Sequence, residues 1–515
     1  MSAPVKTAVS VILLIHALFT AAGFARDFHK LVAQIFNLPY RRLVACAGST
    51  STNTSERSTP CRLQVGVTAD CKSALRGLGA ALTRKTCEIS GLGTAAHSEG
   101  DASPPAVSSN KSTNQPAAGA QTTVKAALPA FPLQTNDCVA FIGGTTTVQD
   151  AKHGYLETLL TRRYPGHKLR FRNLAWEGDT VFGQERPLNF PGLVQSLKAH
   201  HATVIVANFG LMESLQGQEG LSGFVQAYGF LLDELSRITS RIVLVSPFRL
   251  ERPARTVHAA AEKTKQMEGY VQAIRDLTKA RGMLLVDLFR LGARASQSDD
   301  MPPLTADGMH PSAYGYWRAA HEAERDLGLP QRDWRVEIDA RTRGFQATGT
   351  ELHGVQISTS TVRFQTLDEM LPGPVFSKPD GNVSVWGART LTITGLRPGR
   401  YVLRIDGVPL HEQSELFWAR GRVLTHGPEV RQAERLRGLI VEKNADFFNY
   451  WRPQNWAFLH GDLISQPSSH RHDQLGVRWF PGEMEVFPRL IEQKEREIDQ
   501  LARPSFHVYE LNRIE

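Results

Sequence analysis

Phe141-Ile142-Gly143-Gly144-Thr145-Thr146-Thr147 is a short apolar strand that runs into two glycines and three hydroxyl residues. Far downstream, Asp307-Gly308-Met309-His310 sets a carboxylate and an imidazole on one tight loop at the entrance to a helical segment. Working outward from the first stretch, runs rich in aliphatic or β-branched residues recur at Cys138–Gly143, Leu169–Leu174, Thr203–Phe209, Arg241–Ser246 and Met283–Leu288. Segments with helical spacing lie between and after them: Tyr155–Tyr164, Gly192–His201, Phe224–Ile238, Ala259–Ala280 and Ser312–Asp326. Continuous apolar strands alternating with amphipathic helices predict a parallel sheet covered on both faces. The expected fold class is therefore α/β, a three-layer flavodoxin-like domain with a five-strand parallel sheet over residues 136–328. In such a sheet ligands bind beyond the carboxyl ends of the strands. The Gly143–Thr147 turn, Gly178-Asp179, Gly210–Glu213 and the Asp307–His310 loop should all emerge at that edge.

After Pro330 the period of the sequence changes. Trp334–Asp339, Gly354–Leu367, Thr390–Leu396 and Tyr401–Gly407 alternate with period two, which predicts a β-sandwich-like module over 331–425. Residues 426–515 return to helical spacing, with Val430, Ala433, Leu436, Leu439 and Ile440 on one face of Pro428–Tyr450 and a charged helix at Glu485–Leu501.

The 515 residues carry a net charge of +8, but its placement argues against nucleic-acid binding. Residues 1–135 hold 13 Lys or Arg against 6 Asp or Glu, so 13 − 6 = +7 of it lies in that leader. Lys6 followed by the apolar run Thr7–Ala25 reads as an export signal over residues 1–25, with an uncleaved membrane anchor as the alternative. The expected location is thus periplasmic or extracellular, and membrane contact is expected only through such an anchor. Residues 26–135 are expected to be a disordered low-complexity leader, since 92–125 hold almost no large apolar side chains. Gln34–Arg42 and Ala69–Leu75 resemble conceptual translations of dispersed genomic repeats, so a leader foreign to the native protein stays open. Cys46, Cys61, Cys71 and Cys87 precede residue 90 without metal-ligand spacing; disulfides are open to them, and Cys138 reads as a buried apolar residue.

Nucleophilic ester hydrolysis needs a hydroxyl or thiol, a base, a group that orients the base, and donors for the oxyanion. His310 supplies the base and Asp307 its orienter, Pro311 ends the loop and Ser312 can cap the next helix. Thr145 offers the hydroxyl, with Thr146 and Thr147 as alternatives one or two residues on. Glu213 is expected to brace its loop through hydrogen bonds. Asp179 suits turn and N-cap chemistry, and the Arg452–Asn455 cluster is a candidate to reach the pocket. The scattered histidines (His153, His200, His201, His460, His470, His472) form no ligand pattern, so neither metal nor cofactor is expected.

In their order, these segments resemble the SGNH (GDSL-type) hydrolase superfamily. Gly143-Gly144-Thr145 stands where the resemblance places G-D-S, and Gly178 in Asn173–Thr180 stands at the oxyanion glycine. Gly210-Leu211-Met212-Glu213 stands at G-x-N-[DE], with Met212 at the oxyanion Asn, and Asp307–Pro311 is an intact D-x-x-H-P. Pro398–Gly407 and Trp451–Asn455 resemble a bacterial subgroup with a G-G-T or G-N-T first block and an appended C-terminal region. The resemblance implies an SGNH fold and an esterase acting on an acyl or acetyl group of a carbohydrate or lipid. It implies Thr145, Asp307 and His310 as catalytic residues, and Gly178, Gly210 and Glu213 at the oxyanion and substrate site. The expected partner is a small-molecule or glycan ester. The rival expectation is an SGNH-fold pseudoenzyme that binds glycan or protein, because Thr145 and Met212 replace two of the four signature side chains.

Overall fold

A computed structural model of the chain describes residues 131, 133–187, 189–251, 257–295, 302–329, 332–377, 383–384, 387, 389–453, 456–459, 463–465 and 484–514. The expected export segment, nearly all of the leader, four of the cysteines, and His460, His470 and His472 lie outside those residues.

The first part is the expected parallel sheet: β1 (Cys138–Gly143), β2 (Arg170–Asn173), β3 (Val204–Asn208), β4 (Ile242–Val245) and β5 (Leu284–Val286), in the order β2-β1-β3-β4-β5. Its helices are α1 (Thr145–Asp150), α2 (Tyr155–Arg163), α3 (Leu193–Ala199), α4 (Leu221–Ser236), α5 (Val257–Ala280), α6 (Leu288–Ala295) and α7 (Ala313–Asp326). All six residues of β1 are buried, because alternate side chains go to opposite covered faces. Val139 and Phe141 join Leu159 of α2 and Trp317 of α7 in one core. Ala140 and Ile142 join Leu197 of α3, Phe224 of α4 and Tyr270 of α5 in the other. Burying each such large aliphatic or aromatic side chain stabilises the fold by about 1.5–3 kcal/mol. The chain leaves β1 for β2 on one side and later enters β3 on the other, so the strand order reverses between β1 and β3. Gly143 pairs with Asn208 at that point, and the crevice it opens at the carboxyl edge is where such sheets hold ligands.

The β-rich part comprises β6 (Trp334–Asp339), β7 (Gly344–Thr348), β8 (Thr350–Ile357), β9 (Thr361–Asp368), β10 (Phe376–Ser377), β11 (Val383–Ser384), β12 (Arg389–Thr394), β13 (Arg400–Ile405), β14 (Val408–Ser414) and β15 (Arg422–Val423). The alternating stretch Gly354–Leu367 is divided between two strands, β8 and β9, because the polar run Ser358–Ser360 turns the chain: Ser358 N donates to Thr361 O at 2.8 Å. After α8 (Glu415–Ala419) the chain forms α9 (Pro428–Trp451), α10 (Trp456–Leu459) and α11 (Phe487–Leu501). It then returns as β16 (Phe506–Arg513), which lies between β13 and β9. The sandwich thus does not close at residue 425. Tyr509 and Leu511 of β16 are buried in the same core as Trp334, Phe364, Leu391 and Leu403. A lone eight-residue strand behind a charged helix gave too short an alternation to stand out.

Candidate active site

β1 delivers the chain to the carboxyl edge, and Gly143 makes the turn there. Its φ is +145°, open to glycine and hostile to an L side chain. A Cβ at this position would strike the Asn208 carbonyl and sit 2.7 Å from Thr147 Oγ1. Thr145 follows as the first residue of α1 and is half-buried. Thr146 and Thr147 both line a cavity behind the turn; Thr145 is not among its lining residues. The helix that follows the Asp307–His310 loop, α7, meets this turn through Tyr316, whose hydroxyl donates to Thr146 O at 2.8 Å.

The Asp307–His310 loop is closed on itself. Ala306 N donates to His310 O and Ser312 N to Leu304 O, both at 2.8 Å. Ser312 Oγ then caps α7 by accepting from Gly315 N at 3.1 Å. Within the loop, Asp307 Oδ2 lies 2.7 Å from His310 Nδ1, and Oδ1 accepts from the amides of Met309 at 3.0 Å and His310 at 2.8 Å. Burial alone would raise the Asp307 carboxyl. The bonds from the His310 ring and the two amides outweigh it and hold the carboxyl down at about 2. Asp307 therefore stays ionised and fixes Nδ1 as the hydrogen-bonded nitrogen, leaving Nε2 as the basic position. Glu251 anchors the loop from outside: its carboxylate accepts from Leu304 N at 3.1 Å, Thr305 N at 2.7 Å and the Thr305 hydroxyl. No hydrogen bond joins Thr145 to His310 among the described residues.

Gly178 turns with φ +86°, and its amide donates to no group of the chain among the described residues. The turn that carries it is held from two directions. Trp176 N donates to Gly143 O at 3.0 Å, tying it to the end of β1. Arg186 pairs with both oxygens of Asp179, at 2.7 and 2.8 Å, and lies 4.8 Å from the Trp176 ring centre. From the far end of α9, Arg452 stacks over the same ring at 3.6 Å and pairs with Glu177 at 2.7 Å. Asp179 is thus committed to Arg186, and Arg452 does reach the site; Gln454 and Asn455 lie outside the described residues.

Glu213 joins the second and third loops. Its Oε1 accepts from Val181 N at 2.8 Å and its Oε2 from Gly210 N at 2.9 Å. Burial pushes its carboxyl up against the pull of those amides. The Gly210 amide is therefore engaged by Glu213. Met212 is 47% exposed beside it and has no donor to offer.

Behind α1 lies the internal cavity, about 80 Å³, walled by Phe141, Val206, Val245, Phe248 and Val286 and reached by the Asp150 carboxyl. Burial, reinforced by the charge of Glu157, raises Asp150 to about 7. A carboxyl raised on folding contributes stability below its unfolded value and loses it as pH rises through its folded value. Asp150→Asn should therefore match wild-type stability near pH 4 and melt several degrees higher than wild type near pH 8. Thermal unfolding across that range checks this.

Sequence spacing singled out Asp307, His310 and the glycines as candidates but gave no signal for Glu251, Tyr316 or Arg186. Their contacts cross between segments far apart in the chain or bridge a loop with no motif.

Residues 139–318 match the model of the GDSL-like Lipase/Acylhydrolase family. No curated protein matches the chain. Among solved structures, a gut microbial diltiazem-metabolizing enzyme aligns with a TM-score of 0.58 at 19% identity, covering 75% of this chain and 100% of its own. That extent exceeds the α/β part alone, so the likeness in fold includes the appended C-terminal region. An acetylxylan esterase from Geobacillus stearothermophilus aligns with a TM-score of 0.31 at 18% identity, over 38% of this chain and 97% of its own.

Proposed function

We propose that this chain, whose residues 139–318 match the GDSL-like Lipase/Acylhydrolase family model, hydrolyses an acyl or acetyl ester of a carbohydrate or lipid with Thr145, His310 and Asp307. The observation that carries the reading is the Asp307–His310 pair at 2.7 Å, on the loop that enters α7, the helix whose Tyr316 hydroxyl bonds Thr146 O beside Thr145. His310 Nε2 takes the Thr145 proton as Oγ1 attacks the ester carbonyl, then returns it to the leaving alkoxide. Water repeats the sequence to release the acid. The amides of Thr145 and Gly178 hold the oxyanion, while Glu213 and Gly210 keep the neighbouring loop in place. Substrate-free sites often show a loose contact between nucleophile and base that tightens in the complex. A Thr hydroxyl has the chemistry of Ser, but its methyl restricts rotamers and crowds the attack path. The loss of one side-chain oxyanion donor costs about 10²–10³ in turnover, so slow hydrolysis is expected.

Met212 supports the second reading, an inactive SGNH fold that binds glycan or protein in the same crevice. Assays of short-chain aryl esters and acetylated sugars on the full chain, beside Thr145→Ala and His310→Ala, separate the two. Activity lost in both variants supports hydrolysis; equal background in all three proteins supports binding. Export by the N-terminal apolar run belongs to the same proposal, and a cytoplasmic protein with Met1 intact would overturn it.

Arg452 acts in this scheme as a positioning residue. Its stack on Trp176 and its pair with Glu177 hold the turn that presents Gly178. Arg452→Ala should lower kcat by about 10–10²-fold, the cost of a displaced catalytic group, with a smaller change in KM. Arg452→Lys keeps the charge without the planar stack and should recover only part of the loss. A KM effect alone, with kcat intact, would count against positioning.

A further inference from the structure

Away from the crevice, the β-sandwich carries a hydrogen-bonded relay of hydroxyl, imidazole and carboxylate. Asp406 and Gly407 form the turn between β13 and β14, with φ of +51° and +78°, the pairing that a two-residue hairpin favours. The turn is pinned to β16: Asp406 N donates to Val508 O at 2.8 Å, and Val508 N donates to Asp406 Oδ1 at 2.9 Å. The other oxygen, Oδ2, lies 2.7 Å from His507 Nδ1. His507 Nε2 in turn lies 3.1 Å from Ser505 Oγ. Ser505 is exposed, while the His507 ring is only 11% exposed, so the base is held and the hydroxyl is accessible. Each link has the length that a nucleophile, base and orienter require, and such a set is recognised by geometry rather than by position in the chain.

We propose that Ser505 is an activated serine that captures acyl groups from small activated esters, independently of the Thr145 crevice. In the step, His507 Nε2 takes the Ser505 proton while Oγ bonds to the acyl carbon. The bond from that carbon to the aryloxide oxygen breaks, and the aryloxide leaves as the phenol with the proton from His507. Ser505 becomes its acyl ester. Ser505 is exposed, and the proposed substrates are small esters with good leaving groups. A fluorophosphonate follows the same path: Oγ bonds to phosphorus, the P–F bond breaks, and fluoride leaves with the proton. That adduct persists and can be located by mass.

The test is fluorophosphonate labelling of the full chain in a Thr145→Ala background, followed by peptide mapping. The label is expected on Ser505 and absent in Ser505→Ala. Its rate should fall by about 10²-fold or more in His507→Ala, the contribution of a positioned base. Asp406→Asn suits the same turn and should also slow labelling, so the relay is tested even if His507→Ala fails to fold. No label on Ser505, or labelling indifferent to both His507 and Asp406, overturns the proposal. Neither result bears on hydrolysis at Thr145, which wild-type turnover reads separately.

Discussion

His310→Ala is expected to reduce kcat/KM for an aryl acetate by about 10⁴–10⁶-fold, leaving the slow rate that binding and oxyanion contacts alone supply. Thr145→Ala should fall to the same level, and the double variant no further, because the groups act as one unit. Asp307→Asn isolates the orienter. The amide retains the bonds that Oδ1 accepts from Met309 N and His310 N but removes the charge facing His310 Nδ1. It also favours the wrong tautomer, so a loss of similar order follows. The carboxyl is held down at about 2, below its ordinary value. Its contribution to the loop is therefore present above the ordinary carboxylate range and is lost as pH falls toward 2. Steady-state kinetics of the three single variants and the double variant check the set. Additive losses in the double variant would separate Thr145 from His310 and defeat the triad.

Lys443→Ala should destabilise the fold by about 3–5 kcal/mol, the cost of stranding a buried partner charge. Lys443 on α9 is 1% exposed at its side chain and pairs with Glu157 of α2 at 2.7 Å. It also donates to Asn444 Oδ1 at 2.7 Å, while Asn444 Nδ2 donates to Glu157 Oε2 at 3.0 Å. Burial already pushes Glu157 up, with Lys443 pulling it back; without the ammonium, Glu157 must take up a proton or remain an unpaired charge. Lys443→Met preserves most of the stem volume and should cost nearly as much, which assigns the loss to charge rather than packing. Pairing it with Glu157→Leu should recover much of the stability, since an apolar pair can replace a buried ion pair at little cost. Chemical denaturation of the four proteins reads the cycle. Single variants within about 1 kcal/mol of wild type would show that α9 is not locked to α2 by charge.

Much of the sheet was legible because it is covered on both faces. Runs such as Val139–Ile142 and Ile242–Val245 are apolar throughout, and that continuity separates them from the helices. The strands of the sandwich were harder to read. Gly354–Leu367 alternates across the Ser358–Ser360 turn, so one period spans two strands. Phe506–Arg513 finds its place only by filling the gap between β13 and β9. The relay at Ser505 was equally hidden, since Asp406 lies 101 residues from His507 and no spacing rule joins them.

The sequence by itself determined the layered α/β core and the local pairing of Asp307 with His310, because strand burial, helical period and a three-residue loop are short-range physics. It also set Gly143 where a side chain would meet the neighbouring strand, though the reason is visible only in the pairing with Asn208. Tertiary structure decided everything that crosses between segments: Tyr316 on the Thr146 carbonyl, Glu251 on the loop that carries Asp307 and His310, Arg452 on Trp176, Lys443 under Glu157. Such contacts depend on which surfaces meet when helices and loops pack. Packing brings together residues whose separation in the chain carries no period to read.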